Sequence, residues 1–236
     1  MNDPETRLQE LLASTPWSRL FSFGGRATNF PEMVQKVVDG TADEATFRNI
    51  RYHIEHQDTL EQASPHMTDV LIELLDMPRA DRASVLSILE DVYATAVGDY
   101  LSRGRPEAPA VPPEDDLLPP FVSEDDDDAM FEDADLLNEL WNRSSHHWSQ
   151  RCLDSIEAAR ARIESLSSID GLVGDTARGF FMRLSLLEPQ MWTNFVAPQF
   201  PAPEGKSPLD LARSMGWQDV VDYLEQEHAR RKEGDQ

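Results

Sequence analysis

Residues 64–101, SPHMTDVLIELLDMPRADRASVLSILEDVYATAVGDYL, decide the fold class. Ser64-Pro65 opens a helix, because proline at the first helical position gives up only a backbone donor that has no partner there. Met67, Val70, Leu71, Leu74 and Leu75 follow at three- and four-residue spacing, the signature of one buried helical stripe. Pro78 ends this helix. From about Arg79 to Leu101 a second stripe runs through Val85, Leu86, Leu89, Val92, Tyr93, Ala96 and Tyr100. Two helices joined by so short a connection as Met77-Pro78 form an antiparallel α-hairpin.

Upstream, the same punctuation recurs. Asn29, Phe30 and Pro31 predict a helix start that continues through Met33, Val34, Val37 and Val38 and stops at Gly40. Thr41-Ala42-Asp43-Glu44 fits a capping box for the next helix, which carries Phe47, Ile50 and Ile54. Downstream, helicity is expected again at 131–148 and through Cys152, Ile156, Ala159, Ile163 and Leu166. Gly171 and Gly174 punctuate the chain before a helix bearing Phe180, Phe181, Leu184 and Leu187. Period-two alternation and paired hairpin signals are absent, so no β-structure is expected.

Between these helical parts lies a stretch of a different kind. Pro106 to Asn142 carries 13 Asp or Glu and no Lys or Arg, more than half of the formal net charge of −23. Pro106, Pro109, Pro112, Pro113, Pro119 and Pro120 forbid a regular helix, and the acids that follow repel one another, so 102–130 reads as an exposed loop. Leu117, Leu118, Phe121 and Val122 interrupt it with an apolar patch. That patch either docks the loop onto the helical body or serves as a partner-binding motif.

Charge and composition exclude several classes. An anionic field of this size repels the phosphates of nucleic acid and anionic membrane headgroups, and it steers a basic protein toward the surface. Apolar runs are broken by charge well short of the ~20 residues a membrane span needs. A single cysteine, Cys152, permits no intrachain disulfide, and Met1-Asn2-Asp3-Pro4-Glu5 has no apolar leader, so a cytoplasmic protein is expected.

The segment Arg48 to Leu101 resembles bacterial HEAT-like repeat proteins, in Ile54-Glu55-His56-Gln57-Asp58-Thr59-Leu60, Ala63-Ser64-Pro65, Val70-Leu71-Ile72-Glu73-Leu74-Leu75, Arg82 and Leu86. Gln150-Arg151-Cys152-Leu153-Asp154-Ser155-Ile156-Glu157-Ala158 is similar to the Cys-containing helix of the same group. Met67-Thr68-Asp69 departs from it, as does the long acidic insertion. Gly205-Lys206-Ser207-Pro208-Leu209-Asp210-Leu211-Ala212-Arg213, with Gly216 and Val220-Val221-Asp222-Tyr223-Leu224, resembles a single ankyrin repeat, which would cap the helices before it. These resemblances imply an all-α protein of HEAT-like helical hairpins stacked as a short solenoid and closed by an ankyrin-like helix pair. The parts are residues 1–101, an acidic loop at 102–130, a second helical part at 131–200 and the cap at 201–236.

Candidate chemistry is sparse. His53 and His56 lie three apart on a helix with His66 nearby, yet no acidic or Cys ligand completes a metal set, and no cofactor is implied. His147 and Cys152 are five apart, poorly aligned for an activated thiolate, and Cys152 reads as a small buried hydrophobe. Gly24-Gly25-Arg26 lacks the glycine-lysine spacing of a phosphate loop and reads as a turn. Trp17, Phe21, Phe23 and Phe30 around it read as a wedge between the N-terminal helix and the body. Asp115-Asp116 and Asp125 to Asp128 lack the pattern of a calcium loop.

The expected function is therefore that of a non-enzymatic binding module, an immunity protein or inhibitor that occludes a basic toxin or enzyme. Glu124, Asp125, Asp126, Asp127, Asp128, Glu132, Asp133 and Asp135 would supply charge, and Phe121, Met130 and Phe131 apolar anchors. The alternative is a non-inhibitory helical scaffold whose acidic loop is a solvated spacer.

Overall fold

The computed structural model describes residues 3–103, 117–132 and 134–186, and in the C-terminal part only Leu209, Asp210, Arg213, Val221, Asp222 and Glu225. The described residues are mostly helical, and the chain divides into two compact units, Met1–Ala159 and Arg160–Gln236.

In the first unit, α1 (Pro4–Ser14) begins where Asp3 accepts the Thr6 N–H at 3.1 Å. Its Arg7 reaches Glu73 at 2.9 Å and Asp76 at 3.3 Å, tying α1 to α4 (Ser64–Leu74). Helix α2 (Phe30–Asp39) stops at Gly40, whose φ of 71° is the left-handed conformation that glycine adopts without steric cost. The capping-box expectation for α3 (Glu44–Ile54) is corrected by one turn chemistry for another. Asp43, not Thr41, is the cap, accepting the Thr46 N–H at 2.8 Å. The Thr41 hydroxyl instead points back to the Lys36 carbonyl at the end of α2.

Helix α4 and α5 (Arg82–Arg103) form the expected hairpin, with Asp81 accepting the Ala83 and Ser84 amides at the start of α5. Helix α4 is buried nearly all round, from Ser64 and Pro65 through Met67, Thr68, Val70, Leu71 and Leu74. A helix without a solvent face sits at the centre of its unit, and α4 packs on α1, on α5 and on α7 (Ala134–Ala158). Tyr93, Leu86, Leu89 and Val92 of α5 and Cys152 and Ile156 of α7 complete this core.

Two small antiparallel hairpins correct the expectation of no β-structure. Strand β1 (Phe21–Ser22) pairs with β2 (Gly25–Arg26), and β3 (Glu55–His56) with β4 (Thr59–Leu60). Strands of two residues are too short to leave a period-two pattern.

A second correction concerns the acidic stretch. Glu124–Glu132 is a helix, α6, not a loop. Ser123 caps it, its Oγ accepting the Asp126 N–H at 3.2 Å and donating to Asp126 Oδ2 at 2.7 Å. Acids that repel one another in an extended chain are favoured in the first helical turn, where unpaired amides and the helix dipole present positive charge, and Glu124 to Asp127 fill that turn. Most of the proline-rich part, 104–116, lies outside the described residues.

In the second unit, α8 (Arg160–Leu166) and α9 (Leu172–Leu186) pack on each other through Ile163, Leu166, Ala177, Phe180, Phe181 and Leu184. Gly171, with φ 87°, makes the turn before α9. The ankyrin-like reading of 201–236 falls largely outside the described residues. Within it, Arg213 pairs with Glu225 at 2.5 Å.

Candidate functional site

The β1–β2 hairpin is the mount on which the candidate site is built. Gly24 and Gly25, with φ of 86° and 139°, let the chain reverse tightly enough to leave Arg26 directly opposite Phe21. The hairpin is fixed from behind. Phe21 N–H donates to Gln62 Oε1 at 2.8 Å, the Ala63 N–H donates to the Phe21 carbonyl at 2.9 Å, and the Phe23 N–H donates to the His53 carbonyl at 3.1 Å.

Onto this mount the acidic segment docks. Leu118 N–H donates to the Arg19 carbonyl at 2.9 Å and the Arg19 side-chain Nε donates to the Leu118 carbonyl at 2.9 Å, so Arg19 holds both backbone groups of Leu118. Leu118 is buried and joins Leu140 and Trp148 in a small core covered by Phe21, Met130, Phe131 and Trp141. Arg26 supplies the polar lock. Its Nε and Nη2 each reach one oxygen of Asp127 at 2.6 Å, while Nη1 donates to the carbonyls of Ser18 at 2.5 Å and Pro119 at 2.8 Å. The Arg26 side chain is 5% exposed and that of Asp127 15%. Two parallel charge-assisted bonds in such a setting fix orientation as well as energy.

This docking sorts the predicted partner-binding residues into two sets. Asp127, Met130 and Phe131 face the protein's own body, where their contacts are already taken. Glu124, Asp125, Asp126 and Asp128 are exposed along α6, and Asp135 is exposed at the start of α7. Phe121 is 52% exposed, with the Arg26 guanidinium 5.9 Å from its ring centre, and Val122 beside it is 77% exposed. Glu132 lies at the end of α6, and Asp133 lies outside the described residues.

The aromatic wedge read around Gly24-Gly25 divides among three surroundings. Trp17 and Phe30 meet edge to face at 5.6 Å in the core, Phe21 turns to Phe131 at 5.9 Å, and Phe23 stacks on His56 at 3.7 Å. Tyr52 completes the last group, 4.8 Å from Phe23 and 4.7 Å from His56. Sequence reasoning missed Tyr52 and His56 as partners of Phe23. The signal available was the glycine pair, which brings Phe23 back across the end of α3.

The remaining titratable candidates are structural in their surroundings. Burial pushes the Cys152 thiol up to about 12, with the Thr68 hydroxyl 3.5 Å away, so Cys152 is no activated nucleophile. His53 Nδ1 bonds the Phe23 carbonyl, and His66, half-buried beside Trp17, is pushed down to about 4 by desolvation and by Arg151. Among the described residues no group of three or more His, Cys, Asp or Glu is placed to hold a metal ion. Glu61 is different. It is 4% exposed, its Oε2 meets no hydrogen-bond partner, and burial pushes its carboxyl up to about 7.

No family model, curated protein or solved structure matches this chain. Among the described residues, no helix is long and apolar enough to cross a membrane.

Proposed function

We propose that this protein is a non-enzymatic binding module that covers a basic surface of a protein partner, in the manner of an immunity protein or inhibitor. The observation that carries this reading is the Arg26–Asp127 fork, which consumes one acid of the run and thereby holds Glu124, Asp125, Asp126 and Asp128 outward on a formed helix. A helix ordered before the encounter loses less conformational freedom on binding than a loop that must fold, and its field steers a cationic partner. Exposed Phe121 and Val122 flank the acids and offer apolar contact at their edge. The α4–α5 hairpin, as a HEAT-like unit of a short solenoid, supports the same class of function through its resemblance to binding proteins. A basic toxin or enzyme in the cytoplasm is the partner this reading favours, while nucleic acid and anionic membranes are disfavoured by the charge.

The scaffold reading keeps a foothold in one observation: Met130 and Phe131 brace the body rather than facing outward. On that reading α6 is a strut and the partner binds elsewhere. The two are separated by replacing Glu124 with Gln and Asp125, Asp126 and Asp128 with Asn, leaving Asp127 in place. With a partner recovered at low salt, association should slow and its salt dependence should flatten. An association rate unchanged at low salt rejects the acidic-face reading.

A further inference from the structure

Three rings meet at the turn of the β1–β2 hairpin. Phe23, from the turn of the β1–β2 hairpin, stacks on His56 of β3 with centroids 3.7 Å apart and planes 27° apart. Tyr52, from the last turn of α3, stands edge-on to both at 4.8 and 4.7 Å. Rings this close touch one another and leave no room for a ligand between them, so the group is a platform and not a cage. Tyr52 is 46% exposed, and Phe23 and His56 are half-buried.

The backbone is unusual on both sides of this platform. Gly24 and Gly25 carry positive φ in one turn, and Gln57 and Asp58, both with side chains, have φ of 53° and 59° in the other. Two consecutive left-handed residues match the twist of a two-residue hairpin, but glycine or asparagine normally supplies them. Here Asp58 N–H donates to Glu55 Oε1 at 3.2 Å and the Thr59 hydroxyl to the His56 carbonyl at 2.5 Å, which hold the turn that follows His56. Charges of both signs surround the platform, with Arg48 exposed one turn before Tyr52 on α3. Asp58 is exposed at the tip of the turn, and the neighbouring Arg51 is engaged with Asp91 at 3.1 Å on α5.

The same β1–β2 hairpin carries Phe23 on the platform and Arg26 in the lock of α6, so the aromatic group and the acidic helix are mounted on one rigid element. We infer that Tyr52, His56 and Phe23 form a stacking platform for an arginine side chain of a basic protein partner. The inference rests on the basic-partner reading and names its chemistry. A planar guanidinium stacks on an aromatic face and bonds a carboxylate in its own plane, which the ammonium of lysine does not do. Asp58 supplies that carboxylate, and the exposed acids of α6 supply the long-range attraction.

The test uses the full chain and two probes of equal charge, hexa-arginine and hexa-lysine peptides, titrated at low salt. Tyr52→Ala should weaken hexa-arginine about two- to fivefold, the worth of one exposed cation–π contact, and hexa-lysine less. Tyr52→Phe should restore the arginine affinity, and His56→Ala should repeat the loss. Replacing Asp125, Asp126 and Asp128 with Asn should weaken both peptides by one common factor. Equal loss for the two peptides, or no loss, in both Tyr52→Ala and His56→Ala overturns the platform while leaving the acidic-face reading intact. A response to Tyr52→Ala with none to the α6 substitutions supports the platform and rejects the acidic face, and absence of binding by either peptide overturns both.

Discussion

Arg26 and Asp127, 101 residues apart in the chain, face each other through two parallel bonds of 2.6 Å. One guanidinium thus joins the β1–β2 hairpin to the acidic helix, through Pro119 to the chain that leads into that helix, and through Ser18 to the turn before β1. The pair converts an acidic run into a surface with an inside and an outside.

Removing Arg26 should release that surface. Arg26→Ala leaves a mostly buried carboxylate without its partner, and a cost of about 2–3 kcal/mol is expected in urea unfolding. Amides of 118–131 should lose protection from hydrogen exchange before the rest of the first unit does. Asp125→Asn, on an exposed residue of the same helix, should stay within about 0.5 kcal/mol of the parent. Equal effects of Arg26→Ala and Asp125→Asn would show that the fork does not hold the helix.

Glu61 makes the first unit sensitive to pH. Burial disfavours its charged form, so its folded-state value of about 7 lies above the ordinary 4.5. Stability associated with this group is complete below pH 4.5 and is lost as pH rises through 7, because the unfolded chain ionises first. The full loss is roughly 3 kcal/mol at 1.36 kcal/mol per pH unit. Glu61→Gln should therefore be more stable than the parent at pH 8 and similar to it near pH 4, as read from urea midpoints across that range. A difference independent of pH would mean that the carboxylate finds a partner in the fold.

Cys152 is a probe of opening. With its thiol buried and pushed up to about 12, the folded protein should not react with a thiol reagent at pH 8, and one equivalent should react in denaturant. Rapid labelling of the folded chain would place Cys152 at a reactive surface instead.

Gly174 should matter to the second unit. An added Cβ there would overlap the Ile169 carbonyl, which belongs to the turn between α8 and α9. Gly174→Ala should destabilise the α8–α9 pair by about 1–3 kcal/mol, whereas Gly179→Ala, with open space around it, should be neutral or slightly stabilising. Circular dichroism melts of the two variants make the comparison.

Most helices were legible because helix punctuation is local chemistry. Pro31 and Gly40 bound α2, and Ser64-Pro65 opens α4, through bonds confined to a few neighbouring residues. Proline content and charge repulsion argue for an extended chain, while Ser123 and the free amides and dipole of the first turn, where the acids sit, offset that repulsion in the acidic helix. The two hairpins escaped because each strand is two residues long. Of the candidate site, the exposed acids and Phe121 were visible as composition.

By itself, the sequence determined that the protein is helical, that its charge is concentrated between two helical stretches, and that a central hairpin buries its stripes. Periodicity, caps and net charge depend on residue type and near neighbours, so they can be read without knowing the fold. Only the tertiary structure decided which acid faces inward, that Met130 and Phe131 brace the body, and that Phe23 meets Tyr52 and His56. Those outcomes depend on contacts between segments far apart in the chain, where burial and desolvation select one partner among many of the same chemical type. Asp127 resembles its three Asp neighbours in sequence, and its meeting with Arg26 alone distinguishes it.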